Sequence, residues 1–253
     1  MNLAKRNVSV PPPRKRADLL LVERGLFESR ARAQAAIEAG LVIADDRPVL
    51  KASEAIAVDA VLQAQPAHPY VSRGGVKLAG ALERYPLDIE DHVCLDVGAS
   101  TGGFTEVLLA GGASLVFAID VGREQLHPSL RGHPRVVSME ETDIRSFEGK
   151  RLPMRPDIVV VDVSFISLKA VLPVALSLAA APMHLLALIK PQFEAARKHS
   201  KRGIIRNAMV HQEICDDIAA FVASQGCTAI EVFPSSIKGG DGNMEFFIGA
   251  RRG

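Results

Sequence analysis

Val93-Cys94-Leu95-Asp96-Val97-Gly98-Ala99-Ser100-Thr101-Gly102-Gly103-Phe104 is the stretch on which the fold turns. An apolar run interrupted only by Asp96 reads as a buried strand, a glycine-rich turn follows, and Phe104 falls within an expected helix over residues 101–110. Glycines let a ligand approach the backbone, and a helix N-terminus offers unpaired N–H groups. Asp120 ends the next apolar run, 24 residues after Asp96. A carboxylate there is placed to accept hydrogen bonds from two ribose hydroxyls.

Two ligand classes use such a turn. Dinucleotides favour GxGxxG, where uncharged loop atoms meet a pyrophosphate. Here the loop is GxxxGG with Asp96 just before it. A carboxylate repels a pyrophosphate and attracts the amino group of a methionine moiety, so the pattern favours S-adenosylmethionine over NAD. The expected cofactor-binding set is Asp96, Gly98, Ser100, Thr101, Gly102, Gly103, Phe104 and Asp120. Asp143, which follows the third strand, is a candidate for the adenine amino group, and Asp162 completes the set.

Working outward, apolar runs over residues 115–119, 136–139, 158–161, 185–189, 229–233 and 246–250 alternate with helical stretches. The helices are expected over 75–84, 101–110, 168–180 and 209–225. Strands apolar on both faces, separated by helices, predict an α/β, Rossmann-like doubly wound sheet over residues 71–253.

The N-terminal part has a different texture. Residues 1–15 read as a flexible basic tail containing Pro11-Pro12-Pro13. Residues 16–63 read as a small α+β domain, and 64–70 as a linker. Helices are expected over 17–24 and 30–39, the second capped by Ser29. Short strands are expected over 41–43 and 48–50 around an Asp45-Asp46 turn, and another over 57–62. The pattern Arg16-Ala17-Asp18, Gly25, Ser29-Arg30-Ala31-Arg32, Ile37, Gly40, Val42, Val49 and Lys51 resembles the small RNA-binding domain of small-subunit ribosomal protein four and of pseudouridine synthases. That resemblance implies a phosphate-binding face of Arg16, Arg30, Arg32 and Lys51, which positions RNA without reading its sequence.

The charge distribution agrees with a polyanionic partner. The net charge is only +1, yet residues 1–35 hold 8 Lys/Arg against 3 Asp/Glu. A second basic run, Arg197-Lys198-His199-Ser200-Lys201-Arg202, is a further candidate for RNA phosphates. The three cysteines, Cys94, Cys215 and Cys227, form no CxxC pair, so neither a metal site nor a disulfide framework is expected, and a reducing cytoplasm fits. The basic N-terminus lacks the apolar core of a secretory signal. The longest apolar stretch, near 171–189, is broken by Pro173, Pro182 and His184, so no membrane association is expected.

Methylating a hydroxyl requires a group that removes its proton. A lysine does this when burial or a second cation lowers its pKa. Two lysines and two carboxylates form one such site, and four residues supply them here. Lys77 lies in Ser72-Arg73-Gly74-Gly75-Val76-Lys77. Asp162 and Lys190 end apolar strands that converge at the carboxyl edge of a parallel sheet. Glu245 opens the last strand and joins them only if that strand runs antiparallel, as edge strands of such sheets often do.

The motifs SRGGVKL, DVGASTGGF, DVSFISL, LIKPQFE and GGDGNMEFF resemble those of the TlyA family of FtsJ-like ribose methyltransferases, over nearly the whole chain. The resemblance implies a Lys-Asp-Lys-Glu catalytic tetrad at Lys77, Asp162, Lys190 and Glu245. It also implies methylation of cytidine ribose 2′-hydroxyls in ribosomal RNA, with ribosomal RNA or ribosomal subunits as partners. Where some relatives carry Arg-Ala-Trp-Val between the domains, this chain has His68-Pro69-Tyr70-Val71, so linker behaviour does not carry over. Relatives also bear the label haemolysin, which makes a pore-former the alternative from another class. A non-catalytic RNA-binding protein is the third.

Overall fold

The computed structural model describes residues 12–147, 152–195 and 203–253. They divide into two compact units that part between Pro69 and Tyr70.

In the first unit, β1 (Arg14–Arg16) precedes α1 (Ala17–Glu23) and α2 (Arg30–Glu38). Four short strands follow: β2 (Val42–Ala44), β3 (Arg47–Pro48), β4 (Ala55–Ala57) and β5 (Leu62–Ala64). Ser29 caps α2 by accepting the Arg32 N–H. Asp45 and Asp46 both take positive φ, the conformation of a two-residue hairpin turn between β2 and β3. Leu20, Leu21, Phe27, Ile37, Val42 and Ile56 form the core.

Two expectations change in this unit. Arg14 and Lys15, read as the end of a tail, pair with Ala57 and Ile56 in a β1–β4 ladder. The single strand expected over 57–62 is two strands in different sheets. The Ala60 N–H bonds back to Ala57 O, and that turn ends β4 before β5 joins β2.

The second unit carries a seven-stranded sheet with β6 (Val93–Val97) at its centre. The other strands are β7 (Leu115–Ile119), β8 (Val136–Met139), β9 (Ile158–Val161), β10 (Met183–Ile189), β11 (Thr228–Pro234) and β12 (Phe246–Arg252). Their order is β11-β12-β10-β9-β6-β7-β8, with β8 through β10 mutually parallel. β12 runs antiparallel, as Glu245 required, but lies inside the sheet between β10 and β11 instead of at its edge. The reason is burial: Phe247, Ile248, Gly249 and Ala250 are all covered, while Thr228 and Ala229 of β11 are exposed and suit the rim.

Helices cover both faces. α3 (Arg73–Arg84) and α4 (Gly103–Ala110) pack on one, through Leu78, Phe104 and Leu108 against Cys94, Val160 and Phe247. α6 (Leu168–Leu178) and α8 (Ala208–Ser224) pack on the other, through Leu172, Ile214 and Ile218 against Leu95, Val159 and Leu185. The short α5 (Pro128–Arg131) follows β7, and α7 (Pro191–Glu194) follows β10. Cys94 and Leu95 join opposite cores, the two-residue alternation of a strand buried on both sides. Among the described residues no helix is long and apolar enough to cross a membrane.

Candidate active site

The site lies at the carboxyl ends of the parallel strands. At the end of β6, Gly98 adopts φ +85 and donates its N–H to Ile119 O at 2.8 Å. A Cβ there would stand 2.3 Å from the carbonyl oxygen of Asp162, so only glycine lets the two chain segments touch. At the start of α4 a Cβ on Gly103 would meet Ser72 Oγ at 2.3 Å and Gly75 N at 2.6 Å. The glycines thus press the N-terminus of α3 against that of α4.

A cavity of about 550 Å³ opens beside this turn, lined by Gly98, Ser100, Asp120, Asp143, Asp162 and Phe165 among others. Asp120 braces its floor: Oδ2 accepts the Ser100 N–H at 2.8 Å and Oδ1 the Gly122 N–H at 2.6 Å. Glu140 accepts three consecutive backbone N–H groups, those of Glu124, Gln125 and Leu126, and so fixes the loop that carries Gln125 into the wall. The hydrogen bond from the Leu126 N–H leads the effects that hold the Glu140 carboxyl below its ordinary range.

A smaller cavity of about 190 Å³ shares Gly98, Ser100, Asp162 and Ser164 with the first. It adds Thr101, Gly103, Phe104 and Lys190. Most of the expected cofactor set therefore converges on two adjoining spaces. Three carboxylates face the larger one, while its Arg145 is held by Asp143. That donor set disfavours a pyrophosphate and fits a ligand carrying positive charge, as S-adenosylmethionine does.

Two expected cofactor residues line neither cavity. A Cβ on Gly102 would point at Leu130 and Leu126, away from both. Asp96 is wholly buried, its Oδ2 accepting the Thr105 hydroxyl at 2.6 Å. Strand alternation explains this: Val97 faces the larger cavity, so its neighbour Asp96 turns to the α4 side. Burial raises the Asp96 carboxyl to about 7, and its Oδ1 finds no hydrogen-bond partner among the described residues. Asp143 does line the cavity, but its carboxylate grips the Arg145 guanidinium and caps Arg145 N, and the Arg145 side-chain bond holds it below the ordinary range.

The four tetrad candidates form two ion pairs. Lys190 Nζ lies 2.5 Å from Asp162 Oδ1 at the smaller cavity. Lys77 Nζ lies 2.7 Å from Glu245 Oε2, both side chains buried. The Lys77–Glu245 pair lines neither cavity. It adjoins them through register: Ile189 faces Phe246 across β10 and β12, and continuing that ladder by one residue sets Lys190 opposite Glu245.

Residues that carried no individual signal in the sequence also enter the site. Ser164 Oγ accepts from Lys190 Nζ at 2.8 Å. Phe165 is 90% exposed at the cavity rim with φ +65, a conformation uncommon for a bulky residue. Its ring lies 4.9 Å from that of Phe193.

In the first unit, Asp18 is buried and accepts from Arg16, Arg30 and Gln34. The Arg16 hydrogen bond holds its carboxyl well below the carboxylate range. Arg16 and Arg30 are thus splayed from one buried anchor while staying about half exposed. Arg32 lies 3.7 Å from Glu28, and Lys51 is exposed. The basic run 197–202 lies outside the described residues.

Comparison with known proteins gives this geometry a context. The family described as FtsJ-like methyltransferase matches residues 70–252. The 16S/23S rRNA (cytidine-2′-O)-methyltransferase TlyA of Mycobacterium tuberculosis (strain ATCC 25618 / H37Rv) is 40% identical over 243 residues, covering 94% of this chain and 90% of that protein. Hemolysin A of Brachyspira hyodysenteriae is 36% identical over 233 residues, covering 91% of this chain and 97% of that protein. A solved structure named as a hemolysin from Streptococcus thermophilus superposes with a TM-score of 0.76 at 39% identity, covering 95% of this chain and 89% of that one.

Proposed function

The chain belongs to the FtsJ-like methyltransferase family, and from that premise we propose that it methylates ribose 2′-hydroxyls of ribosomal RNA, at cytidines, using S-adenosylmethionine. The observation that carries the reading is the Lys190–Asp162 pair, 2.5 Å apart, in a cavity that also contains the glycine turn. A base and a cofactor cradle share one space.

S-adenosylmethionine, when bound, supplies an electrophilic methyl group. The residues fit it: Asp120 offers acceptors for a ribose, and Gly98 leaves the backbone approachable. Lys190, in its neutral form, takes the proton of the 2′-hydroxyl as oxygen becomes the nucleophile. Asp162 holds the Lys190 amine by charge and balances the charge it gains. Lys77 and Glu245 neutralise each other beside it, so that no uncompensated charge is buried there.

Two features support an RNA substrate. Phe165 offers an exposed ring at the cavity rim on which an unstacked base can lie. In the first unit, Arg16, Arg30, Arg32 and Lys51 present positive charge suited to phosphates. The test is mass-spectrometric mapping of ribose methylation in ribosomal RNA, treated with the wild-type protein and with Lys190→Ala. New 2′-O-methyl cytidines with the first and none with the second are expected. No new ribose methylation with the wild-type protein on either subunit would sink the reading.

A further inference from the structure

We propose that Ser164 is a positioning residue for proton transfer: its hydroxyl fixes one N–H of the Lys190 amine that Asp162 holds by charge, and so turns the lone pair toward the substrate hydroxyl. The inference rests on the reading of Lys190 as the base.

A neutral lysine amine has two N–H bonds and one lone pair; its charged form has three N–H bonds. Ser164 Oγ accepts one N–H from Lys190 Nζ at 2.8 Å, while Asp162 Oδ1, 2.5 Å away, pairs with the amine by charge. The hydrogen bond to Ser164 orients the amine, and the lone pair takes one of its remaining corners. The Lys190 side chain is 10% exposed, so its stem has little freedom to swing the amine elsewhere. All three residues line the smaller cavity, which gives the lone pair an open space to point into. In the transfer the hydroxyl O–H bond breaks and its proton forms the third N–H of Lys190. The electron pair stays on oxygen, which bonds the methyl carbon while the carbon–sulfur pair remains on sulfur.

The charge contact with Asp162 sets no direction for the N–H bonds of the amine. The hydrogen bond to Ser164 does, and Ser164 is itself held in place. Phe165 packs on Phe193, and the Glu194 carboxylate accepts from Ser167 Oγ and, at 2.7 Å, from Leu168 N. Burial pushes the Glu194 carboxyl up from its usual value, as expected for a brace inside the protein. Residues 164–168 are therefore tied at three places to the segment 190–194 that carries Lys190.

The experiment compares Ser164→Ala, Ser164→Thr and Lys190→Ala in steady-state methylation of ribosomal RNA, with cofactor affinity measured by calorimetry. Ser164→Ala should lower kcat about tenfold or more, a fraction of the roughly 10²–10⁴-fold that a positioned base supplies. KM for RNA and cofactor affinity should stay near wild type. Ser164→Thr keeps the hydroxyl and should recover most of kcat. A wild-type kcat in Ser164→Ala beside an inactive Lys190→Ala overturns the inference and leaves the base in place. A Thr variant as slow as the Ala variant also overturns it, since the loss would then follow packing and not the hydroxyl. An active Lys190→Ala removes the base reading itself, and this inference with it.

Discussion

Lys190 and Glu245 face each other across two antiparallel strands, one residue beyond the Ile189–Phe246 pair. Each is neutralised by a different partner, Lys190 by Asp162 and Glu245 by Lys77. Glu245→Ala leaves the Lys77 ammonium buried without a counter-charge, which should destabilise the protein by about 3–5 kcal/mol. Replacing both, with Lys77→Met and Glu245→Leu, should recover much of that loss. Urea denaturation of the single and double variants checks both statements; a single variant as stable as wild type would contradict the buried pairing.

Lys190→Ala should reduce methyl transfer by at least about 100-fold, the lower range for loss of a general base. Cofactor binding should remain, because Asp120 and the glycine turn lie on other elements. Single-turnover rates with tritiated cofactor, beside calorimetry, separate the two effects. Loss of both together would move Lys190 from the reaction to the cofactor.

Asp120→Ala should weaken S-adenosylmethionine binding by about 1–3 kcal/mol, the range for hydrogen bonds to a charged group. The same carboxylate holds the Ser100 and Gly122 N–H groups, so the turn also loosens. Asp120→Asn keeps one acceptor and should fall between. Equal affinity in all three proteins would rule out the ribose role.

Asp96 predicts a pH dependence. Its carboxyl titrates near 7 in the folded protein, raised by burial, and near about 3.9 when unfolded. Below about pH 4 both states hold the proton. Between about 4 and 7 the unfolded chain has released it while the folded protein keeps it, so this contribution to stability falls as pH rises. Asp96→Asn cannot lose a proton and still accepts from Thr105. Its stability relative to wild type should therefore increase from pH 5 to pH 8. A constant difference in denaturation free energy across that range would refute the assignment.

Phe165→Ala should leave stability nearly unchanged, since the ring is 90% exposed. RNA affinity should fall by about 1–3 kcal/mol, the worth of one base stacked on an aromatic ring. Filter binding with ribosomal RNA and thermal denaturation together test this; an unchanged RNA affinity would remove the stacking role.

Much of this was legible in one dimension, for a physical reason. Strands buried on both faces must be apolar throughout, so the runs around Val93, Leu115 and Ile158 announced themselves. Gly98 and Asp120 stand out because a ligand turn calls for a residue without Cβ and a carboxylate one strand later, and both line the larger cavity. Asp96 lines neither cavity, because adjacency to the turn says nothing about which face of the strand a side chain takes. The interior position of β12 depends on pairing between residues some sixty apart in the chain, as in Leu185 with Ala250, which no local pattern encodes. Ser164 and Phe165 sit in an irregular segment without periodicity, and their contacts emerge only once Lys190 and Phe193 are folded against them.

The reversed strand β12 also sets a timetable. Translation runs from the N-terminus, and every residue lining the larger cavity has been made by Val171. Glu245 comes far later, after the whole of α8 and β11. A growing polypeptide thus carries every residue of the larger cavity well before Glu245, the counter-charge of Lys77, exists. The last strand to be made, β12, is thus also the one that joins β10 to β11 and brings Glu245 beside Lys190.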